Sequence, residues 1–435
     1  MRKIVLTILL LNLYLCVSAR TPDTTATELK VFLDCNAWCD MDFIKTEITF
    51  VDFAPDRFTS NVYVMITSQS TGSGGQELKM YFSGQERFRG MADTLTFYRN
   101  ATDTDDEYRK RMVHYLKLGL TPYISKTALA SRITISVASD SKGESLNALT
   151  NKKDKWNFWV FNISTSGNIN SDDFSKNYRF GANLNGSRVT EKNKFNFNIN
   201  ASKNERKIIF EGEETVFNYD RDNADITYVK SITSHWSAGG FTSATKSIFS
   251  NHDLQFSLQP AFEYSYFPYK ESVKKSITLF YQIGPVYNNY IDTSYYNKTS
   301  EWNVKHNLSL NVGFTQKWGN INANLSWENF LNSFTLENKS IKGKDINTLS
   351  VGGFMEYRVV KGLTIFVSSF ANFTKGVYPN IERKYFTRDD LLTNAQQYPT
   401  QKALYMSFGI NYRFGSIYNN VVNPRFSNAG GSFFF

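Results

Sequence analysis

The sequence predicts a mainly β protein, namely a transmembrane antiparallel β-barrel of about 12 strands preceded by a small periplasmic α+β domain. From Trp156 onward, apolar and polar residues alternate in segments of roughly ten residues or more, as in membrane-spanning strands. Aromatic residues make up 16% of the 435 residues and recur near the segment ends. No apolar run of about 20 residues occurs beyond the N-terminus, so membrane-spanning helices are not expected.

Residues 1–19 have the features of a secretory signal peptide. Arg2 and Lys3 form the charged region, and the stretch from Ile4 to Cys16 is apolar. Residues 17–19 are small and have a cleavage pattern, so cleavage is expected after Ala19. This signal predicts secretion into an oxidising compartment, in which cysteines can form disulfides.

Residues 28–125 are predicted to form a globular domain of their own. A short apolar strand at 30–33 precedes an amphipathic helix at 40–53. A glycine-rich turn at 71–75 then joins two further strands, and a second helix covers 107–120. About 100 residues are enough for a separate core. We place this α+β domain in the periplasm because it precedes the barrel.

A linker at 126–155 is followed by the predicted barrel at 156–426 and by an aromatic tail at 427–435. After the even-numbered strands the connections are tight, whereas most others are longer and charged. Short periplasmic turns and long external loops are typical of outer-membrane barrels. The twelve predicted strands are 156–166, 176–189, 193–211, 224–232, 236–249, 252–267, 273–289, 301–317, 319–333, 346–359, 362–374 and 403–415.

The alternation assigns each side chain to a lipid face or to a lumen face, because successive side chains of a strand point to opposite sides. In the sixth predicted strand, Leu254, Phe256 and Leu258 alternate with Gln255 and Ser257. The polar positions predict a polar lumen that is either filled by paired charges or open as a selective path. The candidate lumen-facing residues are Arg179, Glu263, Asn322, Asn324, Glu328, Glu356, Arg358 and Arg413.

Cys35 and Cys39 remain after removal of the signal peptide, and they could form a local disulfide or stay as free thiols. The three intervening residues do not match the spacing of a redox motif. Two cysteines and four scattered histidines supply too few ligands for a metal site. The sequence therefore predicts neither a metal nor another cofactor.

The histidines also give little support to catalysis. His114, His235, His252 and His306 are far apart in the sequence. Ser309 lies three residues after His306, which places the two side chains on opposite faces of a strand. We therefore expect no enzymatic activity and no catalytic residues, and an outer-membrane hydrolase is the least favoured alternative.

The chain carries a formal net charge of +9, which could indicate nucleic-acid binding. The charges, however, are spread over the predicted loops and turns. A surface that faces the anionic head groups of outer-membrane lipid explains this distribution better. The predicted partners therefore include outer-membrane lipid and exclude nucleic acid.

Four stretches resemble an uncharacterised family of Gram-negative outer-membrane β-barrels with an N-terminal periplasmic α+β domain. They are Val31–Cys35, Asp42–Ile48, Ser68–Gly75 and Tyr412–Phe426. The resemblance implies a periplasmic domain fused to a barrel, and it brings no catalytic residues. The chain departs from the family by the extension after Phe426. The final three phenylalanines look like the aromatic signal that the barrel-assembly machinery reads.

These observations predict an integral protein of the cell outer membrane that forms a channel for small solutes. Residues 28–125 would then dock on the barrel, gate it, or bind a periplasmic protein partner. The alternative from a different class is an envelope assembly or adhesion component that acts through protein partners without forming a channel.

Overall fold

A computed structural model of the chain describes residues 29–72, 74–135, 156–383 and 399–413. The predicted signal peptide, the linker from residue 136 onward and the aromatic tail lie outside these residues. The last predicted strand is described as far as Arg413. The described residues form a small N-terminal α+β domain and a large antiparallel sheet of thirteen strands.

The N-terminal domain contains a mixed five-stranded sheet and two helices. The sheet order is β2-β1-β3-β4-β5, in which β1 runs parallel to both of its neighbours and the other pairs are antiparallel. The elements are β1 (Lys30–Asn36), α1 (Met41–Glu47), β2 (Asp52–Phe53), β3 (Val62–Ser70), β4 (Gln76–Gly84), β5 (Ala92–Arg99) and α2 (Asp105–Ile124).

Helix α2 covers one face of this sheet. A capping box starts the helix, in which the Thr104 side chain accepts from the backbone N–H of Glu107 and the Glu107 carboxylate accepts from that of Thr104. The buried residues of α2 recur at helical spacing and pack on the apolar side chains of β4 and β5, such as Phe82 and Phe97. The fully buried side chains of this core include Ile66, Leu78, Met80, Phe82, Tyr108, Met112 and Leu120.

The first predicted helix, at 40–53, is too long. In the structure α1 ends at Glu47, and the chain then enters β2. The N–H of Asp52 donates to the carbonyl of Leu29, which brings this segment to the edge of the sheet. Ile48, Thr49 and Val51 are β-branched and lose side-chain freedom in a helix, so an extended backbone competes well here.

The twelve predicted barrel strands are confirmed as strands. Each overlaps one strand of the large sheet, and all of the neighbouring pairs are antiparallel. Those strands are β6 (Trp159–Ser171), β7 (Ser175–Val189), β8 (Asn193–Phe210), β10 (Arg221–Ser231), β11 (Trp236–Ser247), β12 (His252–Ser265), β13 (Lys275–Tyr290), β14 (Ser300–Gln316), β15 (Gly319–Phe330), β18 (Asn347–Val360), β19 (Leu363–Lys375) and β20 (Lys402–Tyr412).

Two hairpins were missing from the sequence-based prediction. Strand β9 (Glu213–Asn218) pairs with the end of β8, and β16 (Phe334–Leu336) pairs with β17 (Lys339–Ile341). Both turns place two consecutive residues at positive φ, Glu211 and Gly212 in one and Glu337 and Asn338 in the other. Such two-residue turns match the twist of antiparallel strands.

The order of the large sheet is β20-β19-β18-β15-β14-β13-β12-β11-β10-β8-β7-β6, and β9 pairs with β8 outside this path. Within the described residues, the two edge strands β6 and β20 do not pair with each other. Residues 136–155 and 414–435, which adjoin these strands in the sequence, lie outside the described ranges. The closure of the sheet into a barrel therefore stays a prediction.

The burial pattern of the large sheet is inverted relative to that of a soluble protein. In β12, Leu258 is 48% exposed whereas the adjacent Gln259 is 9% exposed. Phe262 is 56% exposed and its neighbour Ala261 only 4%. The predicted apolar face thus points outward and the predicted polar face is the sheltered one. Neither helix of the described chain is long and apolar enough to cross a membrane.

Replacement of Gly119 by alanine tests the packing of the N-terminal domain. A side chain at this position of α2 would overlap the ring of Phe82 on the sheet. We expect the substitution to destabilise the domain by about 1–3 kcal/mol, because the closely packed core cannot take up the extra volume. The measurement is the urea midpoint of proteolytic cleavage within residues 29–135 of the full-length protein.

The matched control is Leu118→Ala, since Leu118 is the adjacent residue of α2 and is 51% exposed. This variant should leave the urea midpoint nearly unchanged. An equal shift in both variants would contradict the described packing of α2 on the sheet.

Candidate functional site

The two ends of the large sheet differ in their connections. At one end the turns are tight, with residues 190–192, 317–318 and 361–362 joining successive strands. At the other end most connections are longer, although 172–174 and 248–251 are short, and the longer ones include residues 331–346, which contain the small hairpin β16–β17. The N-terminal domain contacts the end with the tight turns. This interface is the first candidate functional site.

An ion pair lies at the centre of the interface. Arg358, near the end of β18, reaches Asp34 of β1 with both terminal guanidinium nitrogens, at 2.5 Å from Oδ2 and 2.6 Å from Oδ1. Asp34 is only 4% exposed. Such a bidentate pair fixes the orientation as well as the distance of the two groups. It therefore sets one position of the domain on the sheet.

Tyr63 supports the carboxylate of this pair from within the domain. Its hydroxyl donates to Oδ2 of Asp34, and the residue is 1% exposed. Burial, and then the neighbouring negative charge of Asp34, raise the pKa of Tyr63 far above its ordinary value. The hydroxyl therefore stays protonated at neutral pH and remains a donor. Asp34 thus receives hydrogen bonds from both sides of the interface.

Lys317, in the turn between β14 and β15, makes further contacts with the domain. Its ammonium group donates to Oγ of Ser83 at 2.6 Å and lies 5.1 Å from the ring centre of Tyr63. Arg57 of the domain donates to the carbonyl of Lys317. Burial and the positive charge of Arg57 lower the pKa of Lys317. The turn is thus held by polar contacts rather than by a large apolar surface.

Further contacts extend the interface around the tight-turn end, and each involves a different turn. Ser187, near the end of β7, donates to the carbonyl of Gly72 at 2.7 Å. The other contacts are Lys274 over the ring of Tyr81 at 3.3 Å, Asn320 Nδ2 to Asn36 Oδ1 at 2.9 Å, and the N–H of Gly362 to Asp56 Oδ2 at 2.5 Å.

These contacts require the large sheet to curve. Ser187 in β7 and Arg358 in β18 lie eight strand positions apart, or roughly 38 Å on a flat sheet. Within the domain, Asp34 pairs with Met65 of β3. Gly72 comes seven residues after Met65, so the two contact points of the domain, at Asp34 and at Gly72, are separated by about 23 Å along the strand. One small domain touches both places. The sheet therefore bends around the tight-turn end, and the β3–β4 hairpin spans the space between the two walls.

Most of the predicted lumen-facing residues have a polar partner, and their position in a lumen stays a prediction. Arg179, Asn322 and Arg413 are exposed, whereas the other five are half-buried. The Glu328 carboxylate accepts from Lys305 at 2.8 Å and from the hydroxyl of Tyr378 at 2.9 Å. The other contacts are Asn324 to Asn311 at 2.7 Å, Arg179 to Asn204 at 2.8 Å, Tyr269 to Glu263 at 2.9 Å and Arg358 to Glu356 at 3.8 Å.

Asn322 and Arg413 have different surroundings. Asn322 lines a cavity of about 300 Å³ between the sheet and the domain, together with Asn36 and Thr67. Arg413 is exposed, and its N–H donates to the carbonyl of Gly362. The sequence missed the main partner of Arg358, because it predicted charge pairing across the lumen and Asp34 lies in the other domain. A separation of 324 residues leaves no local signal for this pair.

Segment 376–383, which we call the capping segment, covers part of the opposite end. The Tyr296 hydroxyl donates to the carbonyl of Val377 at 2.7 Å, and the side chain of Asn380 reaches the carbonyl of Ser250 at 3.4 Å. Ser250 lies in the turn between β11 and β12, six strand positions away from β19. The capping segment thus crosses the sheltered face from one wall toward another.

Cys35 and Cys39 form a disulfide, with their Cα atoms 6.4 Å apart. It joins the end of β1 to the residues that precede α1, close to Asn36 at the interface. Among residues 29–72, 74–135, 156–383 and 399–413, no three His, Cys, Asp or Glu side chains converge in a way that could hold a metal ion.

Truncation of the central ion pair tests the interface. Asp34→Ala leaves the guanidinium of Arg358 buried without its main partner, which costs about 3–5 kcal/mol. We expect hydrogen exchange at the amide of Gly362 to accelerate, because this amide donates to Asp56 only when the domain is docked. Arg358→Ala should have a similar effect, and the double variant should cost less than the sum of the two.

The matched control is Asp105→Ala, which breaks an exposed pair with Arg99 in the same domain. A surface pair contributes about 0–1 kcal/mol. Exchange at Gly362 should therefore be unchanged in this variant. Strictly additive effects of the two interface variants would contradict the described contact.

Comparison with known proteins adds little to this geometry. No protein-family model matches the chain, and no curated protein matches it. Among the solved structures, one titled "NanC porin structure in rhombohedral crystal form" aligns over 59% of this chain and 99% of that chain. The identity is 10% and the TM-score 0.29, and a similarity this low supports no conclusion on fold or function.

Proposed function

We propose that the chain is an integral outer-membrane β-barrel protein whose polar lumen conducts small solutes, with the N-terminal domain as its periplasmic gate. The observation that carries the proposal is the inverted burial of the thirteen-stranded sheet. A sheet with this pattern needs an apolar environment on its outer face and tolerates water on its inner face.

The apolar face supports a location in lipid. Leu279, Leu310, Leu325 and Val351 lie directly opposite one another on four neighbouring strands. They are exposed by 47%, 38%, 43% and 38%. A contiguous apolar band of this kind is rare on a monomeric soluble protein, whose largest apolar patch covers about 300–600 Å². A hydrocarbon layer would cover the band without any protein partner.

The contacts of the domain support the closure of the sheet. A closed ring of twelve strands tilted by about 40° has a diameter of roughly 24 Å. Two walls eight positions apart in such a ring lie roughly 20 Å from each other across the lumen. The stretch of about 23 Å between the two contact points of the domain fits this distance. A flat sheet would hold these walls much farther apart.

The interface supports a gate rather than a permanent wall. The contacts across it are mainly ion pairs, hydrogen bonds and cation–π contacts, which can be exchanged for water. The domain spans the tight-turn end, which corresponds to the periplasmic side of outer-membrane barrels. Movement of the domain away from Arg358 would connect the lumen to the periplasm. The alternative function, docking of an envelope partner without conduction, is an outcome of the test below.

Charge placement on the two faces of β14 tests the location in lipid. Leu310→Lys puts a charge on the outer face near the middle of the strand, which should cost about 2–4 kcal/mol in a bilayer. Asn311→Lys puts the same charge on the inner face, where water can solvate it, and should cost only about 1 kcal/mol for the lost hydrogen bond with Asn324. The measurement is urea unfolding in phospholipid vesicles, followed by tryptophan fluorescence. An equal cost at both positions would remove the support for a lipid-facing surface.

Reversal of one charge at the interface tests the gate. Arg358→Glu places a second carboxylate beside Asp34 and should release the domain. We expect the open probability in planar bilayers to rise about tenfold, within the range of typical coupling free energies. The exchange variant Asp34→Arg, Arg358→Glu restores opposite charges and should return the channel to its closed state.

The exchange variant is also the control for effects on the pore itself, since it keeps the reversed charge on the barrel wall. If conductance stays high in both variants, the domain does not gate the pore. If neither the wild type nor the single variant conducts, the proposed channel function is wrong, and docking of an envelope partner becomes the better account.

A further inference from the structure

A second cavity lies against the sheltered face beneath the capping segment and far from the N-terminal domain. Its volume is about 250 Å³. Side chains from β11 to β14 line its floor, among them Ser243, Gln259 and Asn288, and residues 378–380 of the capping segment form its roof. The strands and the capping segment, far apart in the sequence, thus border one small space.

The polar side of this cavity is rich in groups that both donate and accept hydrogen bonds. Gln259 is 9% exposed and Asn288 4% exposed, so water solvates them poorly. Nε2 of Gln255 lies 2.9 Å from Oδ1 of Asn288 and 3.2 Å from Nε2 of His252. In this orientation the amide donates to both, which leaves His252 as a neutral acceptor. Hydroxyl groups would complement such a row.

The cavity carries no unpaired charge among its described lining residues. Lys305 contributes a positively charged ammonium group to the cavity wall, and this group pairs with the carboxylate of Glu328 at 2.8 Å. The hydroxyl of Tyr378 donates to the same carboxylate. An anionic or a cationic ligand would therefore compete with an existing ion pair. A neutral ligand would leave this pair intact.

The remaining lining is apolar and aromatic. Phe330 is 5% exposed and Val286 6% exposed. The rings of Phe330 and Tyr378 meet edge to face, with centroids 5.5 Å apart. An apolar patch thus faces a row of amide and hydroxyl groups. The matching ligand presents C–H groups on one side and hydroxyl groups on the other.

We propose that this cavity binds a neutral saccharide, either a monosaccharide or one ring of a longer glycan. The ring hydroxyls would bond to the amides of Gln259 and Asn288, and the C–H face would lie on Phe330 and Tyr378. The volume is slightly below the roughly 300 Å³ at the lower limit of common ligand sites, which favours a single ring. The inference rests on the proposed channel function, for which it supplies a solute class and a site at the external mouth.

Calorimetric titration of the full-length protein in detergent tests the inference. The probes are glucose and maltose as neutral sugars, glucuronate as an anionic analogue and glucosamine as a cationic one. We expect saturable binding of at least one neutral sugar and weaker binding of both charged analogues. Saturation-transfer NMR on the same samples should show uneven saturation, strongest at the C–H protons on the ring face that lies against Phe330 and Tyr378.

Variants of the floor identify the site. Gln259→Leu and Asn288→Leu each replace an amide by an apolar side chain, and each should weaken neutral-sugar binding at least about tenfold, or 1.4 kcal/mol. The matched control is Asn198→Leu, which removes an inner-wall amide on β8 that bonds to Asn183. It should bind like the wild type. Heat-dependent gel migration verifies that all of the variants are folded.

Three results would overturn the inference: no binding of either neutral sugar, tighter binding of a charged analogue, or equal losses in the floor variants and the control. Its failure is distinguishable from failure of the channel function, because binding is measured without a membrane potential. Binding without conductance would support the proposed saccharide site and contradict the proposed channel function. Conductance without binding would support the proposed channel function and contradict the proposed saccharide site.

Discussion

The constraint on which the whole structure depends is the pairing of backbone hydrogen bonds in long strands whose apolar side chains face outward. Residues such as Phe262 and Leu404, exposed by 56% and 73%, would be costly in water, at roughly 25 cal/mol per Å² of apolar surface. In hydrocarbon the same side chains cost nothing, whereas every unpaired peptide group would cost several kcal/mol. Long antiparallel neighbours satisfy those groups. The inner face is then free to be polar.

A sheet bent in this way creates a space that the rest of the chain occupies at two places. The N-terminal domain lies at the tight-turn end and is positioned by the pair of Asp34 and Arg358. The capping segment lies at the other end and is held by Tyr296 and Tyr378. Buried ion pairs contribute little net stability, but an arrangement that separates the two charges and leaves one buried alone is strongly destabilised. The pair at the interface therefore acts mainly by selecting one docked position, which suits a contact that forms and breaks.

The strands of the large sheet could be predicted from the sequence because each strand is encoded by the alternation of its own residues. Alternation along each strand and the lengths of the turns located the twelve main strands. In interior strands such as β12 the exposed and sheltered positions agree with the predicted faces, whereas the edge strands β6 and β20 are exposed along most of their length. The hairpin β8–β9 was missed because its turn, Glu211-Gly212, lies in a charged stretch that resembles an ordinary loop. The first helix was drawn too long because apolar spacing alone does not report the competition from a sheet edge.

The candidate sites could be predicted only in part. Glu328 and Arg358 were placed on the polar face, but their partners Tyr378 and Asp34 come from distant segments. Side-chain pairs of this kind depend on how two folded units meet, and no periodicity encodes that. The same holds for the cavity beneath the capping segment, whose roof at 378–380 and floor on β11 to β14 are more than 70 residues apart in the chain. Its amide-rich floor alone resembles any polar strand face.

The most direct test of the account is the distance between the two walls that the N-terminal domain connects. Spin labels at Lys192 and Lys361, in the turns after β7 and β18, allow this distance to be measured by pulsed electron paramagnetic resonance in lipid. A closed ring of twelve strands predicts roughly 20 Å between the two backbone positions. A separation of roughly 38 Å or more, as in an open sheet, would contradict the account.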